Sequence, residues 1–591
     1  MYQTSHTSRS HNSARSRPLD RIRIVGVLFV SLFIIVIARL FILMIIQHDF
    51  YDALAAGSHE MTTNLFPERG SIYLTSSDKA EEYPLAINRD VFLMFADTRE
   101  IIDENAAEMV AQKLAELFAY PDDKKFSIYL QLNKRSDPYE PLEKKVEQQM
   151  MEQVTALQLP GIHFVRRSER YYPEKKLAAS VVGFVGKDEE GNDVGRYGIE
   201  GYWDKELAGN GGFLEGIKGA TGNWIPLAGR LLKPAQDGVD LVLTIDRTLQ
   251  YEACAVLQKD QEEYGAQTAS LIIMEPKTGA IRVMCSFPDF DPNQYNQVES
   301  SSMYNNTAVF TAYEPGSIFK PIAMSAVLNE ELVTPETYFH DSGSVDAGCT
   351  KLIQNADLKS YGDQTMTGVL ENSINTGMVF VVNKLGKQKF KSYIEQYGFG
   401  TKTGIDLDTE SSGTIGSLSE RKDDKVDCYT ATASFGQGIT ATPLQMATAF
   451  SAIANGGMLM KPFIVQEVRY PQGKVVETRP KEVRRILEKR NASLLSGMLV
   501  RVIDQGQGTL AKVPGYYIAG KTGTAQIAGP GGYTDETNHS FIGFGPVDDP
   551  AFVMIIRFEK PRRAYASLTA ASTFSKIAKF MMNYYHIPPS R

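Results

Sequence analysis

The sequence is poor in cysteine, carries no excess of positive charge and contains one long apolar run, and each scarcity removes a class of protein. Four cysteines in 591 residues, Cys254, Cys285, Cys349 and Cys428, are too few for a disulfide framework. Cys254 and Cys285 fall in apolar runs and read as core residues. Cys349 and Cys428 are open to pairing, which the sequence does not decide. A net charge of -8 and a pI near 5.7 give no basis for nucleic-acid binding. Before residue 235 no grouping of His, Cys and carboxylates has metal-ligand spacing. With 43% hydrophobic and 22% charged residues the composition is globular, and the chain is long enough for more than one cored domain.

The apolar run is Ile24 to Ile46, preceded by a polar, Arg-containing stretch over residues 1–23. At 1.5 Å per residue such a helix crosses a hydrocarbon core of about 30 Å. It is too long for a cleaved signal peptide and lacks a small-residue cleavage pattern. The basic flank places the N-terminus inside and everything after about residue 47 outside, which predicts a single-pass signal anchor. Arg39, its one charge, would lie toward the outer end, where it can snorkel or pair with a partner helix.

Residues 47–235 mix helical and strand patterns. Ala106 to Phe118 and Leu142 to Leu157 have amphipathic helical spacing, and Lys187 to Arg196 reads as an exposed loop or turn. No catalytic constellation stands out there. A boundary falls near Gln236-Asp237-Gly238, after which Val239 to Ile245 reads as a strand and Thr248 to Asp260 as a helix. Thr268 to Met274 and Ala280 to Cys285 flank a Pro-to-Gly turn, as in a hairpin. Strands follow late, at Tyr516 to Ala519, Gly523 to Ile527, Ser540 to Gly545 and Phe552 to Phe558, with a terminal helix over Ser567 to Tyr585. This order predicts an α+β domain, an antiparallel sheet with helices packed on it.

Three short motifs carry chemistry. Ser317 precedes Lys320 by three residues where Pro315-Gly316 breaks the chain and Ile318, Ile322, Ala323, Ala326 and Val327 begin a helical pattern. Residues three apart share a helical face, so the Lys320 amine can reach the Ser317 hydroxyl and, if its pKa is depressed, take its proton. Ser76-Lys79 and Ser419-Lys422 repeat the spacing without a following apolar helix. Ser373-Ile374-Asn375 sets a hydroxyl and an amide two residues apart, able to relay a proton and orient a peptide, although taken alone a turn or cap accounts for it better. Lys521-Thr522-Gly523-Thr524 lies within a strand pattern, unlike the K-T-G copies at Lys277 and Lys402. On a strand edge Lys521 supplies a cation, Gly523 permits close backbone approach, and Thr522 and Thr524 offer hydroxyls to a carboxylate.

The order S-x-x-K, S-x-N, K-T-G resembles that of penicillin-binding proteins and serine β-lactamases, with Ile374 where an Asp is usual. Pro67-Glu68-Arg69-Gly70-Ser71-Ile72, Leu159-Pro160-Gly161-Ile162, Arg170-Tyr171-Tyr172-Pro173 and Gly436-Gln437-Gly438-Ile439 with Thr442-Pro443-Leu444-Gln445 are similar to runs of the class B penicillin-binding proteins. The resemblance implies a cytoplasmic tail over 1–23, an anchor over 24–46, a mixed α/β, partner-docking pedestal over 47–235 and a transpeptidase domain over 236–591. It implies a D,D-transpeptidase that cross-links peptidoglycan stem peptides through an acyl-enzyme on Ser317 and is trapped by β-lactams. Lys320 would be the base, Ser373 and Asn375 would relay the proton and hold the peptide, and Lys521, Thr522, Gly523 and Thr524 would bind the terminal carboxylate. Backbone N–H groups of Ser317 and Thr524 would form the oxyanion hole. No cofactor or metal is implied. A polytopic glycan polymerase of the SEDS type is the expected membrane partner, with Arg39 as a contact. No glycosyltransferase signature precedes residue 235. A hydrolase, either carboxypeptidase or β-lactamase, and a β-lactam sensor or inactive scaffold stay open as alternatives, as does the choice between cell division and elongation.

Overall fold

The computed structural model describes residues 18–41, 60–76, 81–217, 231–419, 425–529 and 532–591. Lys79 and Lys422, from the two other S-x-x-K copies, lie outside them. The chain forms two compact units, Met1–Pro67 with Asn210–Gln236, and Glu68–Gly209 with Asp237–Arg591.

The first unit holds the helix Pro18–Phe41 and a three-stranded antiparallel sheet in which Gly212–Ile217 lies between Glu60–Leu65 and Leu231–Lys233. Residues 25–41 of the helix are exposed. Residues 42–46 of the apolar run lie outside the described residues, and among the described residues no helix is long and apolar enough to cross a membrane.

The second unit contains two larger sheets. One runs Val475–Glu477, Val465–Arg469, Asp240–Asp246, Ile72–Thr75, Glu82–Ala96, Glu140–Val146, with Ile162–Tyr171 also paired to Glu82–Ala96. Asp240–Asp246 pairs in parallel with Ile72–Thr75, so segments from either side of residue 236 share this sheet. Helices Glu104–Phe118 and Asp122–Leu132 close a small core in which Val110, Leu114, Ile128 and Leu132 meet Met94 and Leu142.

The other is a five-stranded antiparallel sheet in the order Ile281–Phe287, Thr268–Met274, Phe552–Glu559, Gly532–Gly545, Ala519–Gly529. Both faces are covered, which is why Thr268–Met274 and Phe552–Glu559 read as nearly unbroken apolar runs. Leu271, Ile273, Phe541, Met554 and Ile556 face one core, with residues of the helices Arg247–Tyr264 and Ala570–Tyr584. Ile272, Met274, Ile542, Val553 and Ile555 face another, with residues of Lys320–Asn329, Asn375–Leu385 and Pro443–Ala454. Three layers result, with Ala519–Gly529 at an open edge.

Four expectations need correction. The helix expected over Leu142 to Leu157 is a strand, Glu140–Val146, followed by a helix, Gln148–Ala156. Glu140, Leu142 and Val146 are buried at even spacing, so strand periodicity prevails in the first half. The exposed loop or turn expected over Lys187 to Arg196 is narrower, the turn of a hairpin of Phe184–Lys187 and Asp193–Arg196, where Asp188 Oδ1 accepts the N–H groups of Glu190 and Asn192. The sequence after the Ser317 helix reads as helical to about Tyr397, but two short strand pairs interrupt it, Tyr338–Asp341 with Gly362–Thr365 and Ser344–Val345 with Ile353–Gln354. Cys254 and Cys285 are not separate core thiols but a disulfide, because the helix Arg247–Tyr264 lies over the strand Ile281–Phe287. Cys349 and Cys428 are bridged as well.

Two runs quoted for the resemblance converge on one buried carboxylate. Glu200 is fully buried and receives Arg69 Nε and Nη2 at 2.8 and 2.6 Å and Arg170 Nε at 2.6 Å. Burial alone would raise its pKa, but the two guanidinium groups hold it below the usual carboxylate range. Removing one member of such a cluster strands buried charge, so Glu200→Ala is expected to cost about 3–5 kcal/mol of stability. Urea denaturation of the full chain checks this, and an unchanged midpoint would show the clamp to be idle.

Candidate active site

The serine motif is a single 3-10 turn, Gly316–Phe319, leading directly into the helix Lys320–Asn329. Pro321 is tolerated because it lies in the first turn. Ile318, Ile322, Ala323, Ala326 and Val327 are all fully buried, so the apolar side is locked into the core and Ser317 is left lining a cleft. That cleft, about 560 Å³, is also lined by Ser373, Asn375, Thr522, Thr524 and Tyr565.

Beneath it, two lysines share one serine. Lys320 and Lys521 are fully buried. Lys320 Nζ donates to the Ser373 carbonyl oxygen at 2.5 Å and to Ser373 Oγ at 3.1 Å. Lys521 Nζ donates to the same Oγ at 3.1 Å and to the Thr522 carbonyl at 3.2 Å. Burial and the neighbouring Lys521 charge hold the Lys320 ammonium well below the ordinary lysine range. Burial pushes Lys521 down to about 7. A neutral amine has two N–H donors and one lone pair. With both Lys320 donors committed to Ser373, its lone pair is left to accept a proton.

This departs from the direct Lys320 to Ser317 hydrogen bond expected from the spacing. Among the described residues Lys320 is bonded to Ser373, because the start of the helix turns the amine inward under the serine. Ser373 sits at φ +57°, a conformation costly for a non-glycine residue, which aims both its oxygens at Lys320. Ile374 is fully buried in the core, which accounts for an apolar residue at the middle of this motif. Asn375 does line the cleft, with Nδ2 donating to the Gln354 carbonyl at 2.9 Å.

Gly523 has a different neighbour from the one expected. A Cβ there would lie 2.8 Å from Ser540 Oγ, 2.9 Å from Ile318 Cγ2 and 3.1 Å from the Pro315 carbonyl oxygen. The bare backbone therefore admits the serine turn rather than a ligand. Thr522 and Thr524 both line the cleft as expected, and Thr524 Oγ1 accepts the Ala566 N–H at 3.1 Å. The other K-T-G copies stand apart, Lys277 paired with Asp549 and Lys402 in a loop.

A buried hub missed in the sequence holds the S-x-N segment. Asn355 Oδ1 accepts the N–H groups of Asn375 and Thr376, and its Nδ2 donates to Asp341 Oδ2 at 2.7 Å. Asp341, fully buried, also accepts Thr376 Oγ1 at 2.6 Å. Burial opposes its charge, yet hydrogen bonds from Thr376, Gly343 and Tyr361 keep its pKa below normal. Glu314 accepts the Gly438 N–H and the Tyr533 hydroxyl, tying two further segments to the serine turn.

A family profile described as the penicillin binding protein transpeptidase domain matches residues 269–579, which include all three motifs. The chain belongs to the penicillin-binding proteins. A second profile, the penicillin-binding protein dimerisation domain, matches residues 64–243. Stage V sporulation protein D of Bacillus subtilis is 33% identical over 540 residues, covering 90% of this chain and 80% of its own. The probable peptidoglycan D,D-transpeptidase PbpC of Pseudomonas aeruginosa is 29% identical, covering 86% of each. A crystal structure of penicillin binding protein 3 from Mycobacterium tuberculosis, complexed with aztreonam, superposes with a TM-score of 0.67 at 26% identity, covering 90% of this chain and 98% of that one.

In a penicillin-binding protein built this way the approach of strand to serine turn is a sensitive contact. Gly523→Ala is expected to slow labelling by a fluorescent penicillin about 10²-fold, the scale of an ångström-size misplacement, with the far-UV circular dichroism unchanged. Labelling at the parental rate would contradict the packing argument.

Proposed function

We propose that this chain is a peptidoglycan D,D-transpeptidase that works through an acyl-enzyme on Ser317. The observation that carries the reading is the pair of buried lysine amines on the Ser373 hydroxyl, directly beneath the cleft that Ser317 lines. The neutral Lys320 amine takes the proton of Ser317 as its oxygen attacks the carbonyl between the two terminal D-alanines of a stem peptide. Backbone N–H groups of Ser317 and Thr524 hold the oxyanion. Ser373, in contact with both amines, passes a proton to the leaving nitrogen, and D-alanine departs. Thr522 and Thr524, which line the cleft, bind the terminal carboxylate, with Lys521 behind them on Ser373, while Asn375 holds the stem peptide. An amine from a neighbouring stem then repeats the sequence in reverse and forms the cross-link. β-Lactams stop at the acyl-enzyme.

The placement follows from the substrate. We assign residues 24–46 as a single-pass anchor in the cytoplasmic membrane with residues 1–23 inside, residues 47–235 as the docking pedestal and 236–591 as the catalytic domain outside. The exposed apolar side chains over 25–41 and two disulfides, which form in oxidising compartments, support this. A SEDS-type polymerase, meeting Arg39 in the membrane, is the proposed partner.

Ser317→Ala is expected to abolish fluorescent-penicillin labelling, and the parental adduct is expected to be long-lived. Rapid turnover of the penicillin would favour a hydrolase, and unchanged labelling of the variant would remove Ser317 from the chemistry. Because Lys320 acts as the neutral amine and its pKa is depressed, acylation is present above that pKa and lost as the pH falls through it. The acylation rate should therefore level off below the pH range in which an unperturbed lysine, near 10.4, loses its proton. A rate still climbing through about pH 10 would contradict a neutral base.

A further inference from the structure

On the pedestal side of the second unit a cavity of about 380 Å³ is lined by residues of Glu82–Ala96, Glu140–Val146 and Ile162–Tyr171, by the hairpin Phe184–Lys187 with Asp193–Arg196, and by Pro292 to Tyr295. Its charge is unlike that of the chain, which is net negative. Six cationic side chains, Arg89, Lys144, Lys145, Arg167, Arg170 and Lys187, face only two carboxylates, Glu169 and Asp193. Both carboxylates are engaged, Glu169 by Lys145 and by Arg89 at 3.5 Å, and Asp193 by Lys187 at 2.7 Å. Lys144 and Arg167 have no ion pair among the described residues.

Two residues of the lining bury a polar atom that has no hydrogen-bond partner among the described residues, Glu169 at Oε2 and Arg170. The Arg170 side chain is only 5% exposed. Nε is bound to Glu200, and Nη1 to the Gly70 carbonyl at 2.8 Å and to Asn88 at 3.3 Å. Nη2 is buried with no hydrogen-bond partner among the described residues. A charged donor left unsatisfied in the interior is costly, and such groups ordinarily hold water or an ion.

We propose that this cavity binds a phosphoryl anion carrying at least two negative charges, of the diphosphate or phosphodiester class. A guanidinium fork suits phosphate geometry, and lysines around it serve as point charges. A single carboxylate would leave most of the positive charge uncompensated. The volume lies at the lower end of small-ligand sites and admits a compact anion rather than the face of a folded partner. Neither the serine nor the two buried lysines of the cleft line it.

Titration calorimetry of the full chain in detergent with inorganic pyrophosphate tests this directly. Saturable binding is expected, at least tenfold tighter than that of inorganic phosphate or acetate and weakened at least tenfold in K144E/R167E. Both positions are exposed, so the variant should keep parental melting and penicillin labelling. A second arm offers vesicles carrying a polyprenyl diphosphate. Pyrophosphate-sensitive capture of the chain, lost in K144E/R167E, identifies a lipid headgroup as the source, and pyrophosphate binding without capture a soluble one. Absence of saturable pyrophosphate binding, binding indifferent to K144E/R167E, or tighter binding of an oligoglutamate peptide would overturn the proposal. Penicillin labelling of Ser317 reads out separately, so failure here leaves the catalytic assignment untouched.

Discussion

The site depends on one constraint, the placement of two lysine amines out of water around a single serine hydroxyl. Taking an ammonium into the protein interior costs several kcal/mol unless a carboxylate accompanies it. Here only a hydroxyl and two carbonyl oxygens receive the amines. Lys387 makes the contrast: also buried, it is paired with Asp427 at 3.0 Å. Lys320 has no such partner among the described residues, and its neutral form is favoured instead. The energy that would have stabilised a charge is used to keep a base available.

The fold supplies that constraint from three directions. The turn Gly316–Phe319 and the buried helix after it fix Lys320. The edge strand Ala519–Gly529 brings Lys521 in from the other side, and Gly523 lets that strand close against the turn. The hub of Asn355, Asp341 and Thr376 holds the third segment, so Ser373 can keep its left-handed backbone. Each segment is held by contacts other than those of the lysine amines, which is what pre-organisation of such a site requires.

Much of this was legible in the sequence, for reasons that can be stated. The five-strand sheet was readable because strands buried on both faces become apolar runs, as at Thr268–Met274 and Phe552–Glu559. Ser317 and Ser373 in the cleft and Lys521 beneath it were readable because they lie in distinctive local patterns. The hub was not, since Asn355 and Asp341 are isolated polar residues whose role exists only across the chain. The Cys254 to Cys285 bond was hidden because an apolar setting fits a core thiol as well as a bridge. Leu142 to Leu157 misled because helical and strand spacings coincide over a few residues. The Lys320 to Ser317 contact was read from spacing along one helix, and competition from Ser373 cannot be seen there.

The most direct test of the central claim is the ionisation of Lys320 itself. With lysine carrying ¹³C at Cε, and Lys320→Arg used for assignment, the Lys320 resonance is expected to show the neutral amine below the normal lysine range and to shift only as the pH is lowered further. A Lys320 signal that keeps the ammonium shift up to about pH 10, as an unperturbed lysine does, would contradict the account.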